Sequence, residues 1–168
     1  HPDGKRIFTT ASDNTVRVWD ITQPGELLFK ASVVGPWNAP VSPDGKWMAP
    51  VNSDKHFALY DLATGQPKLF LDSLTAFSSV FSSDGNHVAA GSRNIFIYNI
   101  ATRKKILTGK GHSGTIFGMD YNSRLNLFVT AGDNTVRLWN TKDTTAVHTI
   151  STVTNVFTSK FKKKKKTI

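Results

Sequence analysis

Two ten-residue stretches decide the fold: ASDNTVRVWD at residues 11–20 and AGDNTVRLWN at residues 131–140. The two are nearly identical, and they begin 120 residues apart. A catalytic motif rarely needs a second copy, whereas a structural unit that stacks on its own kind does. The spacing therefore predicts a repeat protein.

A period of about 40 residues connects the two stretches. The turn PDGK at residues 2–5 returns at residues 43–46, and SDGN and SRLN hold the equivalent places at 83–86 and 123–126. A pair of large apolar residues four positions apart precedes the second, third and fourth turns: Trp37 and Val41, Phe77 and Phe81, and Phe117 and Tyr121. A fourth pair, Phe157 and Phe161, precedes the lysine run. After the turn, each copy has a segment that ends in an aromatic residue followed by Asp or Asn: Trp19-Asp20, Tyr60-Asp61, Tyr98-Asn99 and Trp139-Asn140. Three periods span 120 residues, so the two stretches are one position in the first and fourth copies.

Each copy has the pattern of short strands separated by turns. Runs of five to seven residues rich in β-branched and aromatic side chains alternate with Asp-Gly and Asn-containing turns, which is hairpin chemistry. No segment sustains the i, i+3, i+4 apolar spacing of an amphipathic helix. The sequence therefore predicts an all-β protein with almost no helix.

Four short strands in about 40 residues, ending in Trp-Asp, resemble the WD-repeat family of β-propellers. The resemblance is strong in copies one and four and degenerate in copies two and three. It implies a propeller of four-stranded antiparallel blades, about four repeats of which are present, as part of a larger ring. The approximate repeats are residues 1–35, 36–75, 76–114 and 115–154, with a spare inner strand at 155–161 and a basic tail at 162–168.

The resemblance also implies a buried hydrogen-bond chain inside a repeat. In copy four it maps onto His112, Thr130, Asp133 and Trp139. Copy one offers Thr10, Asp13 and Trp19 but no histidine. Copy two keeps Asp54 with Tyr60, and copy three keeps only Ser92 with Tyr98.

The charge of the chain is concentrated near one end. The net charge is +9, and five of the positive charges form the run Lys162 to Lys166, which leaves about +4 elsewhere. The sequence contains no cysteine, no apolar run long enough to span a bilayer and no recognisable signal peptide. We therefore expect an intracellular protein, cytoplasmic or nuclear, with no membrane partner.

The polar residues show no pattern of an active site. Eight of the twelve acidic residues fall on repeat positions, and the other four, Glu26, Asp72, Asp120 and Asp143, have no motif spacing. The histidines are not in metal-binding spacing, and GKGHSG at residues 109–114 lacks the order of a phosphate-binding loop or a nucleophile elbow. We expect no catalytic residues, no metal and no cofactor; a hydrolase would have only Asp120 near an inner strand.

The leading functional hypothesis is a non-enzymatic interaction scaffold that docks proteins or other subunits on its loop rim. The candidate loops are residues 31–36, 72–76, 108–114 and 151–154, with tight turns near Asn14, Asp54, Arg93 and Asn134. Basic candidates for partner binding are Arg93, Arg103, Lys104, Lys105 and Lys110. A solvated basic edge that discourages strand pairing is the alternative explanation of Arg103, Lys104, Lys105 and Lys110. The alternative function is an RNA- or ribonucleoprotein-associated propeller, in which Lys162 to Lys166 and the basic edge contact phosphates without base readout.

Ring closure is the last expectation from the sequence. Copy one begins at its turn and lacks the strand that precedes the turn in the other copies, while residues 155–161, NVFTSKF, supply a spare strand in that register. Four blades are few for a family whose rings usually hold about seven. We expect a fragment of a larger ring. The alternatives are two self-associated chains that form a ring of about eight blades, or a tight four-blade ring in which Phe157 packs near Ile7.

Overall fold

The computed structural model describes residues 1–23, 25–32, 38–51, 57–72, 74–143, 145–154 and 156–161. Fourteen β-strands and no helix occur in these ranges. The strands form four antiparallel sheets, and within each sheet the strands follow one another in chain order. The all-β prediction is confirmed, and we call the sheets blades 1 to 4.

Blades 3 and 4 have four strands each, and blades 1 and 2 have three. In blade 2, two isolated bridges, Asn38 to Val51 and Val41 to Met48, take the place of an inner strand. Blade 1 comprises β1 (Arg6–Ala11), β2 (Thr15–Asp20) and β3 (Glu26–Ser32). Blade 2 comprises β4 (Trp47–Met48), β5 (Phe57–Asp61) and β6 (Pro67–Asp72). Blade 3 comprises β7 (Ser78–Phe81), β8 (His87–Gly91), β9 (Ile95–Asn99) and β10 (Lys104–Gly109). Blade 4 comprises β11 (Ile116–Asn122), β12 (Leu127–Gly132), β13 (Thr135–Trp139) and β14 (His148–Ser151).

The repeated Asp-Gly turns are pinned by their own side chains. Asp84 accepts hydrogen bonds from the Asn86 amide at 3.0 Å and from the Ser82 hydroxyl at 2.5 Å. Gly85 follows with φ of 71°, a conformation that favours glycine. Asp44 makes the same two kinds of bond in blade 2. The turn chemistry that marks the period in the sequence therefore fixes the hairpins in the structure.

The hydrophobic core lies between blades rather than within them. We call the face that packs on the preceding blade the front and the opposite face the back. The front of each later blade places one aromatic residue against its neighbour: Tyr60 in the cluster with Val16 and Ala31, Tyr98 with Phe57, and Trp139 with Ile95. Trp139 is fully buried. Each sheet is thus covered on a face only when another blade packs there.

The inner strands link the blades near their first residues. The Ser79 hydroxyl donates to the Ala49 carbonyl of blade 2 at 2.7 Å, and the Ser78 hydroxyl donates to the Ile116 carbonyl of blade 4 at 3.1 Å. Both serines are buried. Two buried hydroxyl residues at the start of the inner strand of blade 3 therefore link this strand to both neighbouring blades.

The segment 156–161 passes the inner strand of blade 4 without forming a strand of its own. The Phe161 amide donates to Asp120 Oδ2 at 2.9 Å, and a Cβ added at Gly118 would lie 2.6 Å from Thr158 Cα. The strand predicted over 155–161 is therefore absent from the described part of the segment, because nothing described pairs with its far edge. Phe157 and Ile7 remain 64% and 47% exposed, so neither is buried as a closed four-blade ring would require. The larger ring stays a prediction.

We predict that Trp139→Ala lowers the free energy of unfolding by roughly 3 to 5 kcal/mol, because a fully buried ring leaves a cavity between two blades. Trp19→Ala, at the same repeat position, should cost clearly less, since no described blade covers its front face. Urea denaturation followed by circular dichroism measures both. Equal losses for the two variants would contradict this account of the core.

Candidate docking rim

One end of the sheets gathers the longer connections and the tight central turns. In blades 3 and 4 this end contains the turns at residues 91–95 and 132–135, the connection 109–115 and the first residues of the inner strands, and we call it the rim. The Ile116 amide donates to the Ser92 carbonyl at 2.6 Å, and the Ser113 amide donates to Asp133. These bonds tie the connection to the turns on either side and make the rim a continuous surface.

A chain of hydrogen bonds runs from the interior of blade 4 to the rim. Trp139 Nε1 donates to Thr130 Oγ1 at 2.8 Å, and Thr130 Oγ1 lies 2.7 Å from His112 Nε2. His112 Nδ1 lies 2.5 Å from Asp133 Oδ1. Because an ionised carboxylate only accepts, we assign the proton to Nδ1, and the Thr130 hydroxyl then donates to Nε2. The four residues named for copy four come together in this order.

Burial and hydrogen bonding favour a neutral His112 and an ionised Asp133 within this hydrogen-bond chain. Burial lowers the pKa of His112 below 6.5, although the hydrogen bond to Asp133 opposes the shift. Burial alone would raise the pKa of Asp133, but hydrogen bonds from His112, Ser113 and Thr135 outweigh it and hold that pKa well below its usual range. His112 is buried and its two ring nitrogens bond Asp133 and the fully buried Thr130 hydroxyl, so in this structure it positions the turn.

In blade 1 the threonine assignment was wrong by one residue. Trp19 Nε1 donates to Thr9 Oγ1 at 3.0 Å, whereas Thr10 lies on the opposite face of β1. Thr9 is paired with Arg17 just as Thr130 is paired with Arg137, which makes Thr9 the equivalent position. Asp13 accepts from the Thr15 hydroxyl at 2.5 Å and from Arg17.

Copies two and three depart from this pattern. Asp54 lies outside the described residues. The Tyr98 hydroxyl donates to Asp72 of blade 2 at 2.9 Å, and Lys105 Nζ lies 2.9 Å from the same oxygen. Burial, followed by the hydrogen bond to Asp72, raises the pKa of Tyr98. Sequence reasoning missed the role of Asp72, whose one distinguishing feature was that it occupies no repeat position. Its partner, Tyr98, lies in the next copy.

The basic candidates do not form one patch. Arg93 and Lys110 are exposed at the rim, whereas Arg103 and Lys104 lie at the opposite end of blade 3, where β10 begins. Lys105 is held by Asp72 and lies 5.3 Å from the centre of the Phe96 ring. Residues 162–166 are outside the described part of the chain.

An aromatic row follows the first residues of the inner strands along the rim. The Phe77 and Phe117 rings are 6.3 Å apart, and the Phe117 and Phe157 rings are 5.4 Å apart. Phe117 is 40% exposed, although it lies within β11. In the sequence, Phe77, Phe117 and Phe157 recur every 40 residues, but this spacing did not predict that their rings would be in contact at the surface.

Two open clefts lie between blades at the end opposite the rim. One has a volume of about 480 Å³ and is lined by residues that include Trp47, Lys68 and Arg103. In the described ranges, no set of three or more His, Asp or Glu side chains is grouped to hold a metal ion. The same ranges contain no helix that is long and apolar enough to cross a membrane.

Comparison with known proteins supplies relatives of the same repeat type. The profile of the "WD domain, G-beta repeat" family (WD40) matches residues 1–20 and 103–140. The chain is 23% identical over 126 residues to transcription initiation factor TFIID subunit 5 of Caenorhabditis elegans. This alignment covers 72% of this chain and 19% of that protein. It is 27% identical over 149 residues to a WD repeat-containing WDS homolog of Arabidopsis thaliana, which covers 82% of this chain and 28% of that protein.

A third relative extends the match over almost the whole chain. The transcriptional corepressor LEUNIG_HOMOLOG of Arabidopsis thaliana is 22% identical over 165 residues, which is 94% of this chain and 21% of that protein. The match therefore spans 19% to 28% of the length of these relatives. The matched residues include β1, β2 and the complete set from His112 to Trp139.

We predict that acid weakens the fold through His112. Because its pKa is lowered in the folded state, the unfolded chain binds a proton first as pH falls below 6.5, so stability is present above that pH and declines below it. The stability of the wild type, measured by urea denaturation at pH 7.5, 6.5 and 5.5, should fall across this range. His112→Gln should be less stable at pH 7.5 but should lose part of this pH dependence, and the exposed His148→Gln should keep it. If the free energy of unfolding of His112→Gln depended on pH as steeply as that of the wild type, the assignment of this pH dependence to His112 would be wrong.

Proposed function

Because the chain belongs to the WD-repeat family, we propose that it is a non-enzymatic scaffold that docks other proteins on its rim. The observation that carries the proposal is the row of Phe77, Phe117 and Phe157, which is partly exposed on a surface held by hydrogen-bonded turns. Exposed aromatic rings on a rigid frame supply large contact area at low entropic cost. Arg93 and Lys110 stand at the same end of blade 3 and favour a partner segment that carries acidic as well as apolar side chains.

The state of the polar residues supports a binding role over a catalytic one. Asp120 was the one carboxylate considered for hydrolysis, and its two oxygens accept from the Tyr121 and Phe161 amides, each at 2.9 Å. Both ring nitrogens of His112 and both oxygens of Asp133 are likewise occupied by bonds within the chain. These groups therefore hold the structure that presents the rim.

The names of the relatives agree with a protein-binding role. One is a subunit of a transcription initiation factor and another is a transcriptional corepressor, and both names describe work done with other proteins. For this chain we propose the same kind of association, inside the cell. Which complex it enters is set by the rim residues, which differ from copy to copy.

The RNA-associated alternative stays a prediction without support from the described residues. Its basic edge was to comprise Arg103, Lys104, Lys105 and Lys110. Lys105 forms an ion pair with Asp72, and Lys110 lies at the other end of β10 from Arg103 and Lys104. A phosphate backbone needs a continuous positive track, which this arrangement does not form.

We predict that Phe117→Glu abolishes capture of the protein partners without loss of fold, because it places a charge in the middle of the aromatic row. Leu125→Glu is the matched control, since Leu125 is also exposed but lies in the β11–β12 turn at the opposite end. Affinity capture from cell extract with quantitative mass spectrometry compares the two variants with the wild type, and thermal melts confirm folding. Equal recovery of the same partners by Phe117→Glu and wild type would overturn the rim as the docking site.

A further inference from the structure

The larger of the two clefts at the end opposite the rim lies between blade 2 and blade 3, and we call it the lower cleft. Its volume of about 480 Å³ is within the range of protein sites that hold small ligands. Blade 2 lines it with Trp47, Lys68 and Leu69. Blade 3 lines it from the turns before β8 and after β9, with residues 85–86, residues 100–101 and Arg103. The docking proposed for the rim uses none of these residues.

The floor of the lower cleft is apolar. Leu69 and Ile100 are 8% and 9% exposed, and both belong to the core cluster between blades 2 and 3. Trp47 packs against the same cluster but is only half-buried, so part of its side chain stays accessible from the cleft. An apolar side chain of a ligand can therefore be buried on this floor without displacing a core residue.

Hydrogen bonds hold both turns of blade 3 in place. The Asn86 carbonyl accepts from the Ile100 amide at 2.9 Å, which joins one turn to the other. The Asn99 side chain accepts from the amide and from the hydroxyl of Thr102, at 2.9 and 3.0 Å. Arg103 follows with φ of 58°, a conformation uncommon for residues other than glycine. The backbone that carries Arg103 is therefore fixed before a ligand arrives, which lowers the entropic cost of binding.

The positive charge of the lower cleft is only partly compensated. Arg103 is exposed and forms no ion pair within the described ranges. Lys68 Nζ lies 2.8 Å from Asp61 Oδ2, but the lysine side chain remains 62% exposed. Asp84 lies in the turn before β8, where its carboxylate accepts three hydrogen bonds from within that turn. The described lining contains no carboxylate, so the cleft presents one unpaired cation and one shared cation.

This charge balance selects among anionic ligands. A single carboxylate matches a single unpaired guanidinium, which can bind it through two parallel hydrogen bonds. A nucleoside diphosphate brings more negative charge than Arg103 and a shared Lys68 neutralise. The second cleft, which Trp47 also lines, includes Asp61 and would repel an acidic ligand.

We propose that the lower cleft binds a short acidic peptide segment of a partner protein, in which an aspartate or glutamate lies next to a branched apolar residue. The carboxylate pairs with the Arg103 guanidinium, and the Lys68 ammonium adds a weaker attraction. The apolar side chain lies on the floor of the cleft beside Trp47. Phe117 is at the opposite end of the blades, so this binding does not depend on docking at the rim.

The proposal is tested by titrating the isotopically labelled chain with the capped peptide acetyl-Gly-Leu-Asp-Leu-Gly-amide. Amide and indole NMR spectra show which residues the peptide reaches and give its Kd. The amide resonances of Gly85, Asn86 and Ala101 and the indole resonance of Trp47 should move with peptide concentration, whereas the amide resonance of Phe117 should not. The uncharged peptide acetyl-Gly-Leu-Asn-Leu-Gly-amide should bind about threefold to tenfold more weakly, because it lacks the ion pair.

Arg103→Asn removes the guanidinium and keeps the turn, because asparagine tolerates a positive φ. This variant should bind the aspartate peptide about threefold to tenfold more weakly than the wild type does, and it should bind the two peptides equally. Arg124→Asn is the matched control and should behave as the wild type, since Arg124 is also exposed at this end of the blades, in the β11–β12 turn. Phe117→Glu should keep the wild-type affinity for the aspartate peptide, which separates this site from the rim.

ADP, titrated in the same way, tests a phosphate ligand as the other occupant. The proposal is overturned if the aspartate peptide moves no resonance of the lower cleft, or if the wild type binds both peptides equally. It is also overturned if Arg103→Asn binds the aspartate peptide as tightly as the wild type does. Tighter binding of ADP than of the aspartate peptide in this cleft would likewise exclude the acidic segment as its preferred ligand.

Discussion

The fold depends on one contact that is repeated at each blade junction: an aromatic ring on the front of a blade packs against the last residues of the preceding outer strand. A four-stranded sheet of this size has no core of its own, because its side chains alternate between two faces. Tyr60, Tyr98 and Trp139 are buried at the three junctions of the described chain. Strand pairing shapes each blade, but stability comes from covering one blade with the next.

The hydrogen-bond chain of blade 4 connects that contact to the surface. Trp139 is held through Thr130 and His112 to Asp133, whose carboxylate also fixes the Ser113 amide. Buried packing and the conformation of the rim are therefore one network. The same network engages both ring nitrogens of His112 and both carboxylate oxygens of Asp133 in bonds within the protein. The proposed docking depends on the exposed part of the rim, where Phe117, Phe157, Arg93 and Lys110 reach the surface.

The sequence predicted the features that repeat and missed those that join unlike copies. The period of 40 and the Asp-Gly turns are visible because each has a counterpart at a fixed distance, and the set from His112 to Trp139 followed from the resemblance to a known family. Thr10 was named where the neighbouring Thr9 makes the bond, because only the register of β1 against β2 decides which face each threonine occupies. The bond from Tyr98 to Asp72 could not be found, since it replaces the tryptophan arrangement by a pair that spans two degenerate copies.

Those unlike junctions give the array its order. If every junction were the same, any blade could pack on any other, and neighbouring repeats or neighbouring chains would pair out of sequence. Alanine, aspartate and glycine at the equivalent positions 31, 72 and 109 meet Tyr60, Tyr98 and Trp139, and the equivalent position of blade 4 is the exposed Ile150. A hydroxyl suits Asp72, and an indole needs the space at Gly109. The degeneracy of the repeats is therefore part of the structural information, because it specifies which blade follows which.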